Sequence, residues 1–148
     1  MSRSGYTDDC DDQWAVIRWR GAVKSAIKGK RGQALLVELL AALDAMPEKR
    51  LIVNELEENG EHCTLGVLGA KRGVDMKSID VYDYRQVANA FNASQALVQE
   101  IEYENDEGSE CSIRRGQQCA TPEDRWQYMR DWVAKKIITA SASPSASN

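Results

Sequence analysis

Residues 85–102 read RQVANAFNASQALVQEIE, and the spacing of their apolar and small residues predicts two short helices around a turn. Val87, Phe91, Val98 and Ile101 recur where one shared face is buried, and Ala88 sits where two such helices come closest and only a small side chain fits. Asn92 and Ala93 make the turn. Asn enters the left-handed conformation that a helix C-terminus often requires, and Ser94 is a good N-cap for the second helix. Asp83 caps the first helix, which runs through Ala90; the second runs from Ser94 to about Asn105.

Such a pair is the core of a helix-turn-helix. As a DNA reader it would offer Ser94, Gln95 and Gln99 to base edges, yet its second helix carries no Lys or Arg. Glu100, Glu102, Glu104, Asp106 and Glu107 follow in quick succession and would repel phosphates. Two helices joined by a tight turn are equally an ordinary packing unit. The acidic run weighs toward the packing corner, and the DNA reader stays as the alternative.

Working outward, Val16, Trp19, Val23 and Ile27 keep helical spacing from Gln13 to Ile27, with Asp11 or Asp12 as cap and Gly29 as stop. Lys30, Arg31 and Gly32 read as a short link. Leu35, Leu36, Leu39, Leu40 and Leu43 then give a broad apolar face from Gln33 to Met46, ended by Pro47, so the two helices form a hairpin. Between residues 51 and 68 two readings compete. Leu51-Ile52-Val53, the Asn59-Gly60 turn signal and the apolar run Cys63 to Leu68 suit a small β-hairpin; the rival keeps Leu51 to Leu56 helical and starts another short helix near Thr64, on Leu65, Leu68 and Lys71-Arg72 with Gly73 as stop. Asp75 to Asp80 connects, and Gly108 to Ala120 reads as an exposed polar loop. Thr121-Pro122-Glu123-Asp124 is a strong helix start, and Trp126, Met129, Val133 and Ile137 keep one face through Ile137.

The fold class is therefore mainly α, or α+β with one small hairpin near 51–68: a single compact helical domain over residues 1–138. A Ser/Ala-rich tail over 139–148 is too polar to pack and is expected to be disordered. Trp19, Leu36, Leu39, Leu40, Leu43, Trp126, Met129 and Val133 should be among the most buried residues.

Little in the chain points to chemistry. Cys10, Cys63, Cys111 and Cys119 form no CxxC pair, and the one histidine, His62, stands beside Cys63 at no ligand spacing, so no metal or cofactor is expected. A Ser-His-Asp or Cys-His scheme lacks a third group to orient its base. A divalent metal held by Glu100 to Asp106 would need oxygens that converge in space, which adjacency does not supply. No apolar run approaches the length of a membrane span, and residues 1–12 lack the cationic start and apolar core of a secretory signal, so neither is expected and the expected location is the cytoplasm.

Charge is segregated. Arg18, Arg20, Lys24, Lys28, Lys30 and Arg31 lie between Gln13 and Val37 with no acid among them, and Arg20, Lys24 and Lys28 follow one another a turn apart. They form a candidate polyanion or partner site leading into the Gly29-Lys30-Arg31-Gly32 turn; the alternative is a solvated face paired with the acids of 100–110. A net charge of −4 and a pI of about 5.1 disfavour nucleic acid as the partner.

Over most of its length the chain resembles a family of uncharacterised proteins of tailed bacteriophages and prophages of Gram-negative bacteria. The resemblance rests on Ser2-Arg3-Ser4-Gly5-Tyr6, on Trp19-Arg20-Gly21-Ala22-Val23 leading to Gly29-Lys30-Arg31-Gly32-Gln33-Ala34, on residues 41–50 (AALDAMPEKR) and on Tyr103-Glu104-Asn105-Asp106-Glu107-Gly108. It implies a phage setting in a bacterial cytoplasm and supplies no catalytic residue. The expected function is that of a small non-enzymatic accessory protein binding an unknown host or phage macromolecule. A DNA-binding regulator and, last, a metal-dependent enzyme are the alternatives.

Overall fold

The computed structural model describes residues 3–4, 13–110 and 120–138. Among them are six α-helices: α1 (Gln13–Lys28), α2 (Lys30–Asp44), α3 (Thr64–Arg72), α4 (Tyr84–Phe91), α5 (Gln95–Tyr103) and α6 (Pro122–Lys136). A two-stranded antiparallel hairpin, β1 (Glu57–Glu58) with β2 (Glu61–His62), lies between α2 and α3. The α2 helix is the central element, packed on α3 and α6, while α5 is covered by α1, α3 and α4.

The turn between α4 and α5 forms as its residues dictate. The Asp83 carboxylate accepts the Arg85 and Gln86 amides, Asn92 is left-handed at φ 52° and ψ 48°, and Ser94 Oγ accepts the Leu97 amide. The Ala93 amide donates to the Ala88 carbonyl at 3.0 Å, and Ala88 is buried at the crossing. At α6, Thr121 and Asp124 make a reciprocal capping box with Pro122 in the first turn.

Elsewhere the chain departs from the sequence expectation in instructive ways. Helix α2 begins at Lys30, so the link from α1 is Gly29 alone, extended at φ −67° and ψ 160°. Gly32 is a buried helical residue: a β-carbon there would fall on the Ala26 carbonyl, so its lack of a side chain lets α1 end against α2. Both readings of 51–68 hold in part. Asn59 and Gly60 take positive φ (55° and 82°) and turn the hairpin, but each strand has only two residues, and Thr64 onward is helical with Gly73 left-handed at its end. Leu51 to Val53 form no strand, and Leu51 to Leu56 form no helix. The Leu51 amide goes to the Pro122 carbonyl and the Ile52 amide to the His62 carbonyl, while Leu51 and Leu56 plug the core.

Of the expected core, Leu36, Leu39, Leu43, Met129 and Val133 are fully buried, whereas Trp19, Leu40 and Trp126 are only half-buried. The two tryptophans sit at the rim because each serves two environments. The Trp126 indole N–H donates to the Leu43 carbonyl at 3.1 Å under the Lys49 ammonium, and the Arg20 guanidinium lies 5.0 Å over the Trp19 ring. Leu51, Leu56, Leu65, Leu68, Phe91, Leu97 and Ile101 complete the core.

The expected loop from Gly108 is also corrected. After Tyr103 the α5 helix widens into a π-helical turn, Glu104–Gly108, and stays helical through Ser109 and Glu110, with Gly108 and Ser109 buried. Residues 111–119, the 139–148 tail and Cys10, Cys111 and Cys119 lie outside the described residues. No helix among the described residues is long and apolar enough to cross a membrane.

Candidate functional site on the outer face of the first helix

Helix α1 is amphipathic, and its inward side is thin. Val23 is buried and Ala26 and Ile27 pack on the core, while the opposite face carries Arg18, Arg20, Lys24 and Lys28 together with Trp14 (70% exposed) and Ile17 (52% exposed). Lys30 and Arg31 continue the exposed positive surface onto the start of α2. At 100° per residue, Trp14, Ile17, Arg18, Lys24 and Lys28 share one stripe. Two large apolar side chains on the same stripe as cations are not what a merely solvated face requires.

The six cations differ in one respect from the paired arginines among the described residues, and they share it with scattered cations such as Lys71, Lys77 and Arg85. Arg50, Arg72 and Arg130 close on Glu61, Glu38 and Asp44 respectively. Among the described residues no such acid meets Arg18, Arg20, Lys24, Lys28, Lys30 or Arg31. The alternative of a ridge neutralised by the acids of 100–110 therefore finds no ion pair, because those acids are turned elsewhere: Glu100 and Glu102 are buried, and Asp106 holds Arg3.

Of the three candidate base readers, only Ser94 lines a recess with this surface, and the three separate in role. A small recess of about 230 Å³ is lined by Gly29, Lys30, Arg31 and Gly32 on one side and by Ser94 and Leu97 on the other, so the basic turn abuts the start of α5. Ser94 is spent on its cap, and the Gln99 amide donates to the Ser4 carbonyl at 2.8 Å. Gln95 alone is exposed.

Sequence reasoning missed a buried polar cluster beneath α5. The Arg3 guanidinium, 1% exposed, forks onto Asp106 with Nε to Oδ2 at 2.7 Å and Nη2 to Oδ1 at 2.9 Å; its Nη1 lies 3.9 Å from Glu102. Asn105 Oδ1 accepts from the Thr64 amide (3.0 Å) and hydroxyl (2.7 Å), and its Nδ2 donates to the Ile52 carbonyl (2.9 Å) and to Asp106 (2.8 Å). The π-helical turn positions the neighbours Asn105 and Asp106 for these contacts. It also favours Gly108, since a β-carbon there would push aside the Glu104 carboxylate that Tyr128 holds at 2.6 Å. The only legible trace of this cluster was that Arg3 and Asn105-Asp106 fall within the resemblance-bearing strings.

Burial penalises the Arg3 charge, yet Cys63, Asp106 and Glu102 around it raise its pKa further. Burial pushes Glu102 up to about 8, with Arg3 opposing and Asp106 adding, and both its oxygens lack a hydrogen-bond partner. Burial also raises the Cys63 thiol, whose Sγ accepts the Gly66 amide at 3.4 Å and caps α3. A protonated thiol and a neutral carboxyl in a closed interior are poor nucleophile and base, so the cluster reads as an anchor.

Glu102 carries a pH signature. Its folded pKa is raised above its unfolded value, so the unfolded chain loses the proton first and stability falls as pH rises from about 4.5 to about 8, then levels. The Glu102→Gln variant is expected to flatten that slope in urea midpoints taken across the window. A wild-type slope retained in the variant would assign it to other groups.

A second recess, about 560 Å³, has an apolar floor of Ala42, Ala45, Met46, Val67 and Ala70 and a rim holding His62 and the Arg50–Glu61 ion pair. No group of three His, Cys, Asp or Glu side chains among the described residues converges to hold a metal. No protein-family model matches the chain, and no curated protein or solved structure matches it either.

Proposed function

We propose that the protein is a small non-enzymatic accessory protein, phage- or prophage-encoded and acting in the bacterial cytoplasm, that binds an acidic macromolecular partner through the outer face of α1 and the α1–α2 turn. One observation carries the reading: six exposed cations without an acid partner among the described residues run along α1 and into the start of α2, with exposed Trp14 and Ile17 at the first end of that run. Surfaces that mix aromatic, aliphatic and Arg groups serve protein recognition, where the apolar groups supply affinity and the charges speed encounter. The phage setting rests on the family resemblance.

Retention on heparin in ~50 mM salt tests the surface, since low ionic strength strengthens such contacts. The triple variant Arg20→Glu, Lys24→Glu, Arg31→Glu is expected to lose retention while staying folded, because all three side chains are exposed and losing the Arg20 contact with Trp19 costs only about 1 kcal/mol. Retention unchanged in the variant, or none in the wild type, removes the reading.

A DNA-binding role is the second reading, favoured by Lys30 and Arg31 lining one recess with the N-terminal turn of α5. It makes Gln95 the base reader. A sequence-selective site, if one exists, should lose about 1–3 kcal/mol of preference in Gln95→Ala. The expected result is no sequence-selective binding by either protein in a mobility-shift assay over random duplexes.

A further inference from the structure

Beyond the C-terminal end of α1 the positive surface runs into an open groove of about 620 Å³, lined by Lys28, Lys30, Gln33, Ala34, Val37, Glu38 and Ile138. Val37 (54% exposed) and Ile138 (59% exposed) are two of the protein's exposed large hydrophobic residues, and they line this one groove. Its walls come from three parts of the chain and are stitched by one side chain. Gln33 Nε2 donates to the Ile27 carbonyl at 2.7 Å and the Lys136 carbonyl at 3.0 Å, while its Oε1 accepts the Ile138 amide at 2.7 Å. That staple fixes Ile138 across from Val37 and holds the end of α1 beside both.

The rim charge is one-sided. Glu38 is taken by a two-pronged contact with Arg72, whereas Lys28 and Lys30 have no acid partner among the described residues. An aliphatic pair beside uncompensated ammonium groups suits a bulky apolar side chain flanked by carboxylates. A nucleic acid brings the negative charge without an aliphatic side chain for Val37 and Ile138.

We propose that this groove is the specificity-determining part of the surface, taking a short acidic-apolar segment of a partner protein, with the apolar residue between Val37 and Ile138 and the flanking carboxylates on Lys28 and Lys30. The proposal rests on the protein-binding reading above and narrows it to one peptide chemistry.

The test selects random short peptides on the immobilised full chain and measures affinity of the enriched ones by fluorescence anisotropy. Peptides pairing a bulky apolar residue with neighbouring Asp or Glu should be enriched. Val37→Glu and the pair Lys28→Glu, Lys30→Glu should each weaken them about tenfold or more, a loss of roughly 1.4 kcal/mol. Arg18→Glu at the far end of α1 should change affinity much less. All these side chains are exposed, so circular dichroism should confirm an intact fold.

Acidic peptides that bind Val37→Glu as well as wild type but fail on Arg18→Glu would place them along α1, overturning the groove while sparing the broader reading. Enriched peptides without acids would overturn the groove chemistry, as would competition by DNA but not by acidic peptides. Self-association of the wild type abolished by Val37→Glu would make the occupant a second copy and overturn the proposal too. No enrichment together with no heparin retention would remove both readings.

Discussion

Replacing Arg3 with Ala is expected to cost the fold about 3–5 kcal/mol, because removing one partner of a buried ion pair strands the other charge. Arg3 is 1% exposed and meets side chains that are 5% exposed at Asp106 and 0% at Glu102. Its loss leaves the Asp106 carboxylate with the Asn54 amide and Asn105 Nδ2 as its donors among the described residues, and opens a void the size of a guanidinium near Cys63. The Ser4 carbonyl, which receives the Gln99 amide, would lose its tether in the same step. Arg3→Lys keeps the charge but not the fork, so it should fall between the two. Urea unfolding at neutral pH measures the loss; a change under about 1 kcal/mol in Arg3→Ala, typical of an exposed ion pair, would mean that the anchor is not formed in solution.

Asn105→Leu is expected to be comparably damaging, about 3–5 kcal/mol, although it conserves volume and adds an apolar group. Asn105 is fully buried and serves two chain segments at once. Its loss orphans the Thr64 amide and hydroxyl at the start of α3 and the Ile52 carbonyl before the hairpin, and a stranded buried polar group costs about 1–3 kcal/mol. The measurement combines urea melts with amide exchange at Thr64, which should lose protection in the variant. A tolerated substitution with Thr64 still protected would show that another group satisfies α3.

What the sequence disclosed and what it hid follow from the range of each interaction. The α4–α5 turn was legible because Asp83 and Ser94 act on amides two or three positions away and Asn92 turns left-handed through its own backbone. The capping box of Thr121 and Asp124 was legible for the same reason. The start of α2 was misplaced because Gly32 reads locally as a breaker, while its lack of a β-carbon answers a contact with Ala26 that only the folded hairpin makes. The acids of 100–110 looked like a solvated run because their partner, Arg3, stands 103 positions from Asp106. The tryptophans at 19 and 126 were placed too deep, since composition counts a ring as apolar and cannot see the polar edge that keeps it at the rim. The candidate surface was legible as a charge bias from Arg18 to Arg31. Its apolar member Ile138 was not, because Gln33 brings it there from 105 positions away.

The central claim is that the outer face of α1, the turn after it and the groove beside it are one partner-binding surface. Its most direct test is a titration of the ¹⁵N-labelled protein with an acidic polypeptide, poly-glutamate, followed by amide and side-chain shifts. The account predicts shifts confined to Trp14 through Val37 and to Ile138, including the exposed Trp14 indole, fading as salt is raised. Shifts centred on the recess around His62, or spread evenly over the surface, would contradict it.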